Sequence, residues 1–132
     1  MKNELNGKVA FVTGGSNGIG AATVRALAKA GAQVIIGYNS GKDRADALLS
    51  ELPGDGHSIQ QLTLEDGASV KRAAETASAN HSKLDILVNS AGFTKPIPHD
   101  DLDALDGEFM DKMLIANVRG PSSVIREFRS LL

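Results

Sequence analysis

The chain has 132 residues, 42% of them hydrophobic but only 4% aromatic, with no tryptophan; a multidomain machine is excluded, and the core must be built from Val, Ile, Leu and Ala. Lysine plus arginine number 14 against 16 aspartates plus glutamates, a formal charge of −2, which argues against nucleic acid as a partner and against a polybasic membrane contact. Cysteine is absent, which excludes disulfides, thiolate metal sites and cysteine nucleophiles.

The polar start, Met1 to Gly7, lacks the apolar run of a signal peptide, and no segment approaches the roughly 20 apolar residues of a membrane span. A soluble, cytoplasmic α/β domain is expected. Val9-Ala10-Phe11-Val12 is a continuous apolar run, as in a strand covered on both faces. From Ile19 the period becomes helical: Ile19, Ala22, Thr23, Ala26, Leu27 and Ala30 fall on one predicted face, with Gly31 as the stop. Val34-Ile35-Ile36 is a second buried strand, which completes a βαβ unit.

The pattern then repeats. Ala45, Leu48, Leu49 and Leu52 form a face of a short helix ended by Pro53-Gly54, and Ile59 to Leu64 reads as a weaker strand. Val70, Ala73, Ala74 and Ala77 mark a third helix capped by Asp66. Ile86-Leu87-Val88 is a fourth strand. A loop with Pro96 and Pro98 leads into a long helical stretch from about Asp106, with an expected interruption at Gly120-Pro121. Strict alternation of strand and helix predicts a doubly wound parallel sheet.

The turn after the first strand reads Thr13-Gly14-Gly15-Ser16-Asn17-Gly18-Ile19-Gly20. Glycines here allow a tight reversal, close approach of a pyrophosphate to the backbone, and helix–strand packing without an intervening Cβ. Bare amides from Ser16 through Asn17 and Gly18 to Ile19 would then hold phosphates, with the helix dipole adding attraction. No Gly-Lys-Ser/Thr follows, so a triphosphate P-loop is not expected. The plain alternative is a turn that uses glycine for geometry alone.

Thr13-Gly14-x-x-x-Gly18-Ile19-Gly20 resembles the cofactor motif of the short-chain dehydrogenase/reductase family. Asn89-Ser90-Ala91-Gly92 resembles that family's Asn-Asn-Ala-Gly motif, with Ser90 in place of the second Asn, and Asn117-Val118-Arg119-Gly120 resembles the helix segment that carries its catalytic Asn. The resemblance runs from about Lys8 to the end. It implies an incomplete Rossmann-type domain over residues 1–132, with four strands in the order 3-2-1-4 and truncation before a fifth. The ligand crevice would lie between the first and fourth strands. The implied cofactor contacts are Gly14, Ser16, Asn17, Gly18 and Ile19 in the turn and Tyr38, Asn39 and Ser40 after the second strand. Leu64 after the third strand and Asn89, Ser90, Ala91 and Gly92 after the fourth complete them. Asn117 is the implied catalytic residue, helping to hold a water in a proton relay.

The second strand ends Gly37-Tyr38-Asn39-Ser40-Gly41-Lys42 without the carboxylate that would bind a ribose 2′-hydroxyl and repel a 2′-phosphate. Lys42 or Arg44 can supply positive charge, so NADP is expected in preference to NAD. The family often places an Asp after the third strand to hold adenine; Thr63 stands there in this chain, with Asp66 three residues on.

Family chemistry also needs a Ser and a Tyr-x-x-x-Lys pair. The one tyrosine, Tyr38, is followed by Lys42 at that spacing, but at the adenosine end of the second strand, so the match is coincidental. The expected identity is therefore the amino-terminal part of an NADP-dependent oxidoreductase acting on a ketone or secondary alcohol, similar to the 3-oxoacyl-acyl-carrier-protein reductase branch and without turnover alone. A non-catalytic dinucleotide-binding module is the alternative. An uncovered fourth strand predicts self-association, and the long C-terminal helix is the expected homo-oligomer contact. His57, His81 and His99 read as surface residues, and Asp100, Asp101 and Asp103 as a solvated helix start.

Overall fold

β1 (Val9–Thr13) is the inner strand of the sheet; four of its five residues are fully covered. It pairs in parallel with β2 (Gln33–Tyr38) on one side and β4 (Ile86–Asn89) on the other, and β2 pairs with β3 (Ser58–Gln61), giving the order β3-β2-β1-β4. The computed structural model describes residues 3–132; Met1 and Lys2 of the polar amino terminus lie outside the described residues. The connecting helices are α1 (Gly18–Lys29), α2 (Lys42–Glu51) and α3 (Gly67–Asn80). After β4 come α4 (Gly107–Leu114), a π-helical turn (Ile115–Arg119) and α5 (Gly120–Phe128). No helix among the described residues is long and apolar enough to cross a membrane.

Alternation along the strands builds two cores. Phe11 and Ile35 face a cluster with Val70, Ala73, Leu84, Val124 and Phe128, from α3, α5 and their flanks. Val12, Val34 and Ile36 face the opposite cluster, with Ala21, Val24, Ala28, Ala45 and Leu48 from α1 and α2. Helices on both faces explain why these strands carry unbroken apolar runs.

The buried face of α1 differs from the predicted one. Gly20, Ala21, Val24 and Ala28 face the sheet, while Ile19 is 82% exposed. Alanines surround this helix on all sides, so periodicity alone cannot orient it; the close seating of Gly20 on the preceding turn decides its rotation. β3 is shorter than the Ile59 to Leu64 expected, although the N–H of Leu62 still donates to the Tyr38 carbonyl at 2.7 Å. His57 is not a free surface residue: its Nδ1 accepts the Val34 N–H at 3.1 Å and its Nε2 lies 2.7 Å from the Pro53 carbonyl. β3 starts opposite Ile35, one residue too late to serve Val34, and the imidazole takes that place.

The helix after the fourth strand is continuous through Gly120-Pro121, where an interruption was expected. Pro121 has no N–H to give the Asn117 carbonyl four residues back. The helix absorbs this by widening a turn, so that the Gly120 N–H reaches the Ile115 carbonyl. Asp66 caps α3 as expected, accepting from the Ala68 N–H. At the opposite end of the sheet, Asp85 gathers Lys83, the Val9 N–H and Lys8 within 3.2 Å. The Lys83 hydrogen bond first, then the Val9 amide, hold its carboxyl well below the usual range.

Phe128 is fully buried with its ring centroid 4.7 Å from that of Phe11, and it joins α5 to the middle of the sheet. Phe128→Ala is expected to destabilise the chain by about 3–5 kcal/mol, read as a lower urea midpoint.

Candidate functional site

The carboxyl ends of β1 and β4 open a cleft at the point where the strand order reverses, the position where open α/β sheets bind ligands. Its near wall is the turn from β1 into α1. Gly14 has φ +60°, and a Cβ there would lie 2.8 Å from the Ala91 Cα. A Cβ on Gly20 would strike the Gly14 carbonyl. The sequence thus lets the first turn of α1 sit directly on the end of β1, and no other residue type fits at either place.

The far wall is the segment after β4, and Thr13 holds it. This fully buried hydroxyl accepts the N–H groups of Ser90 and Ala91, both at 3.1 Å. Beyond Gly92, the side-chain amide of Asn117 clasps the backbone of Phe93 from two directions. Its Oδ1 accepts the Phe93 N–H at 2.9 Å, and its Nδ2 donates to the Phe93 carbonyl at 2.6 Å. Phe93 also meets Phe109 edge-on, with Lys112 Nζ 4.3 Å above its ring.

The floor of the cleft is a helix N-terminus with its donors exposed. Asn17 is the N-cap of α1 in extended conformation, yet its side chain makes no capping hydrogen bond, and the first turn carries no acidic residue. The first N–H groups of a helix have no intrahelical partner, and here they point with the positive end of the dipole into the cleft. That arrangement binds anions.

The cleft has a volume of about 310 Å³. Of the residues expected there, Gly14, Ser16, Asn17, Gly18, Ile19, Asn39, Ser40, Ser90, Ala91 and Gly92 line it. Leu64 lines an adjoining cavity of about 100 Å³ that shares Gly14, Asn39, Ala91 and Gly92 with it. Tyr38 instead packs against the core beside α2, and Asn89 ends β4 in register with Thr13; neither lines either cavity, nor does Asn117, whose side chain is engaged by Phe93. Gly41 and Arg44 line the cleft as well, and Leu62, Glu65 and Ala116 the cavity.

Between the two candidate cations the geometry is unequal. Lys42 Nζ donates to Asp46 at 2.7 Å, and that hydrogen bond raises its pKa. Arg44 makes no ion pair among the described residues and lies against Gly41 beside Ser16. The i,i+4 spacing of Lys42 and Asp46 was a signal available in the sequence.

The family model described as short chain dehydrogenase matches residues 8–132. The chain belongs to this family. D-threitol dehydrogenase of Mycolicibacterium smegmatis is 40% identical over 118 residues, which are 88% of this chain and 44% of that protein. A short chain dehydrogenase of Burkholderia cenocepacia, crystallised with NADP, superposes with TM-score 0.89 at 36% identity, covering 98% of this chain and 53% of that one. A blue fluorescent protein from a metagenomic library, in complex with NADPH, gives 0.84 at 39% identity over 98% of this chain and 52% of its own. The chain thus spans about half the length of the short chain dehydrogenases it matches.

Thr13→Val keeps the shape of this short chain dehydrogenase site but strands the Ser90 and Ala91 donors. A loss of about 2–4 kcal/mol in stability is expected, together with faster amide hydrogen exchange at those two residues.

Proposed function

We propose that this chain is the dinucleotide-binding part of an NADP-dependent oxidoreductase that interconverts a ketone and a secondary alcohol. The observation that carries the reading is the uncapped start of α1, opening between β1 and β4. The residues fit the group. Gly14 and Gly20 let α1 sit directly on the end of β1, Gly18 takes φ +53° on the open side of the turn, and the free N–H groups there match a pyrophosphate. When bound, the coenzyme supplies the hydride.

The chain's own residues bind and orient. Ser16, Asn17, Gly18 and Ile19 hold the phosphates through their amides. Ser40, Asn39 and the guanidinium of Arg44 face the adenosine ribose, where no carboxylate opposes a 2′-phosphate. Ser90, Ala91 and Gly92 present a thin backbone to the nicotinamide half. Asn117 fixes Phe93 with its side chain, while its carbonyl oxygen, deprived of an i+4 donor by Pro121, accepts a hydrogen bond from a relay water. The proton donor to the substrate oxygen comes from outside these 132 residues, because the one tyrosine is packed away at Tyr38. Alone, the chain binds the dinucleotide without turnover, the behaviour also expected of a pure binding module. A Ser and a Tyr-x-x-x-Lys pair in a longer protein would distinguish the two.

The alcohol side of this substrate class draws on the likeness to a relative named D-threitol dehydrogenase. Association with a second copy is part of the same reading. Met110, Leu114, Val118 and Ile125 are all exposed, and the extra residue of the π-helical turn keeps them on one face. Acids cluster from Asp100 to Asp111 and arginines at Arg119, Arg126 and Arg129, so an antiparallel pair matches opposite charges.

Fluorescence titration of the chain tests the cofactor assignment. Arg44→Ala should weaken NADPH binding about tenfold or more, as loss of a charge-assisted phosphate contact requires, and leave NADH binding nearly unchanged. Lys42→Ala should move NADPH binding by less than about twofold. Equal losses of NADPH and NADH on removing Arg44 would refute the 2′-phosphate contact.

A further inference from the structure

Two Asn-Gly pairs occur in the chain, Asn6-Gly7 and Asn17-Gly18. In such a pair the glycine nitrogen has no Cβ beside it to hinder approach, and it can attack the carboxamide of the asparagine before it. The structure sets the two pairs apart.

The Asn6 carboxamide is wedged against the bend after α1, with its Oδ1 standing where a Cβ on Gly31 would lie. Its backbone is tied down as well: the Asn6 N–H donates to the Asn3 carbonyl at 3.3 Å, and the Leu5 N–H to the Ala30 carbonyl at 2.9 Å. Asn17, by contrast, is exposed, and its side chain makes no capping hydrogen bond. Gly18 has φ +53° with open space where a Cβ would lie, and its N–H is the first of α1, without an intrahelical acceptor. Closing a five-membered ring here turns the Asn17 Cα–C bond from ψ 171° and releases the Asn17 carbonyl from the Ala21 N–H, 3.0 Å away. That is one hydrogen bond at a helix end, where local opening costs least.

We infer that Asn17 is a self-modification site, which deamidates when no dinucleotide is bound and thereby closes the cleft to one. The Gly18 nitrogen bonds to Cγ of Asn17 and loses its proton to solvent, while the Cγ–Nδ2 bond breaks and ammonia leaves. Water then opens the cyclic imide at either carbonyl. Breaking the new N–Cγ bond leaves an aspartate at residue 17; breaking the original peptide bond leaves an isoaspartate, with the main chain routed through Cβ. Nothing is oxidised or reduced.

Either product spoils the floor of the cleft. A carboxylate at the N-cap accepts the Ile19 or Gly20 N–H, and so caps α1 with a donor the diphosphate needs while repelling it by like charge. An isoaspartate adds a carbon to the main chain directly before α1 and disturbs the seating of Gly20 on Gly14. A bound dinucleotide acts in the opposite sense, since a Gly18 N–H donated to phosphate holds the turn shut. The inference rests on the cofactor reading above and adds the way in which the site is lost.

The test is incubation of the chain in warm, mildly alkaline buffer with and without saturating NADPH, followed by peptide mass spectrometry at residues 6 and 17 and by fluorescence titration with NADPH. Asn17 should convert in the free chain and about tenfold or more slowly with NADPH. Asn6, at the far end of α1, should convert at one rate in both. Binding capacity should fall in proportion to the fraction converted at residue 17. Asn17→Asp should bind NADPH about tenfold or more weakly than the wild type yet unfold at a higher urea concentration, which separates a capped helix from a damaged fold. The inference is overturned if Asn17 stays intact in the free chain while Asn6 converts, if NADPH leaves its conversion unslowed, or if Asn17→Asp binds NADPH as tightly as the wild type. Failure of the fresh wild type to bind NADPH overturns the cofactor reading itself, and this inference with it.

Discussion

The close seating of α1 on the end of β1 is the contact on which the rest depends. Two backbone segments meet there without any side chain between them: Gly20 rests on the Gly14 carbonyl, and Gly14 rests on Ala91. This approach brings the helix N-terminus to the crevice and sets the rotation of α1. It also turns Ile19 outward and places the unpaired N–H groups where a diphosphate can reach them. A helix displaced by one methyl group would keep its dipole but lose the short donor distances that anion binding needs.

The opposite wall is tied to this one by few but well-placed polar contacts. Thr13 is the last residue of β1, and its hydroxyl pins the first residues after β4. Asn117 repeats the device one step further out, holding Phe93 by both backbone groups. The widened helical turn around Asn117 follows from Pro121, so a single missing N–H connects the helix distortion to a residue at the mouth of the site. Between the walls, β1 is buried on both faces under helices, whereas β4 is only half-buried.

Much of this was legible in the residues. Unbroken apolar runs gave three of the four strands, the third strand being the weaker Ser58–Gln61, and alternation with helices gave the topology. The glycine spacing located the turn, and the three motifs together placed most of the residues that line the cleft. Three things escaped. The face of α1 was misjudged because an alanine-rich helix has no contrast between its sides. The π-helical turn was read as a break, since proline marks a lost donor without saying how the helix repairs it. The environments of His57 and Thr63 depend on partners 23 or more residues away, at separations no local pattern encodes. The choice of Arg44 over Lys42, by contrast, was present in the spacing of Lys42 and Asp46.

The most direct test of the account is an amide NMR titration of the chain with NADPH. The N–H resonances from Ser16 to Gly20 should show the largest shifts, as donors to the diphosphate, with smaller ones at Ser90 to Gly92. Binding that leaves the Ser16–Gly20 amides unmoved and perturbs the chain elsewhere would contradict it.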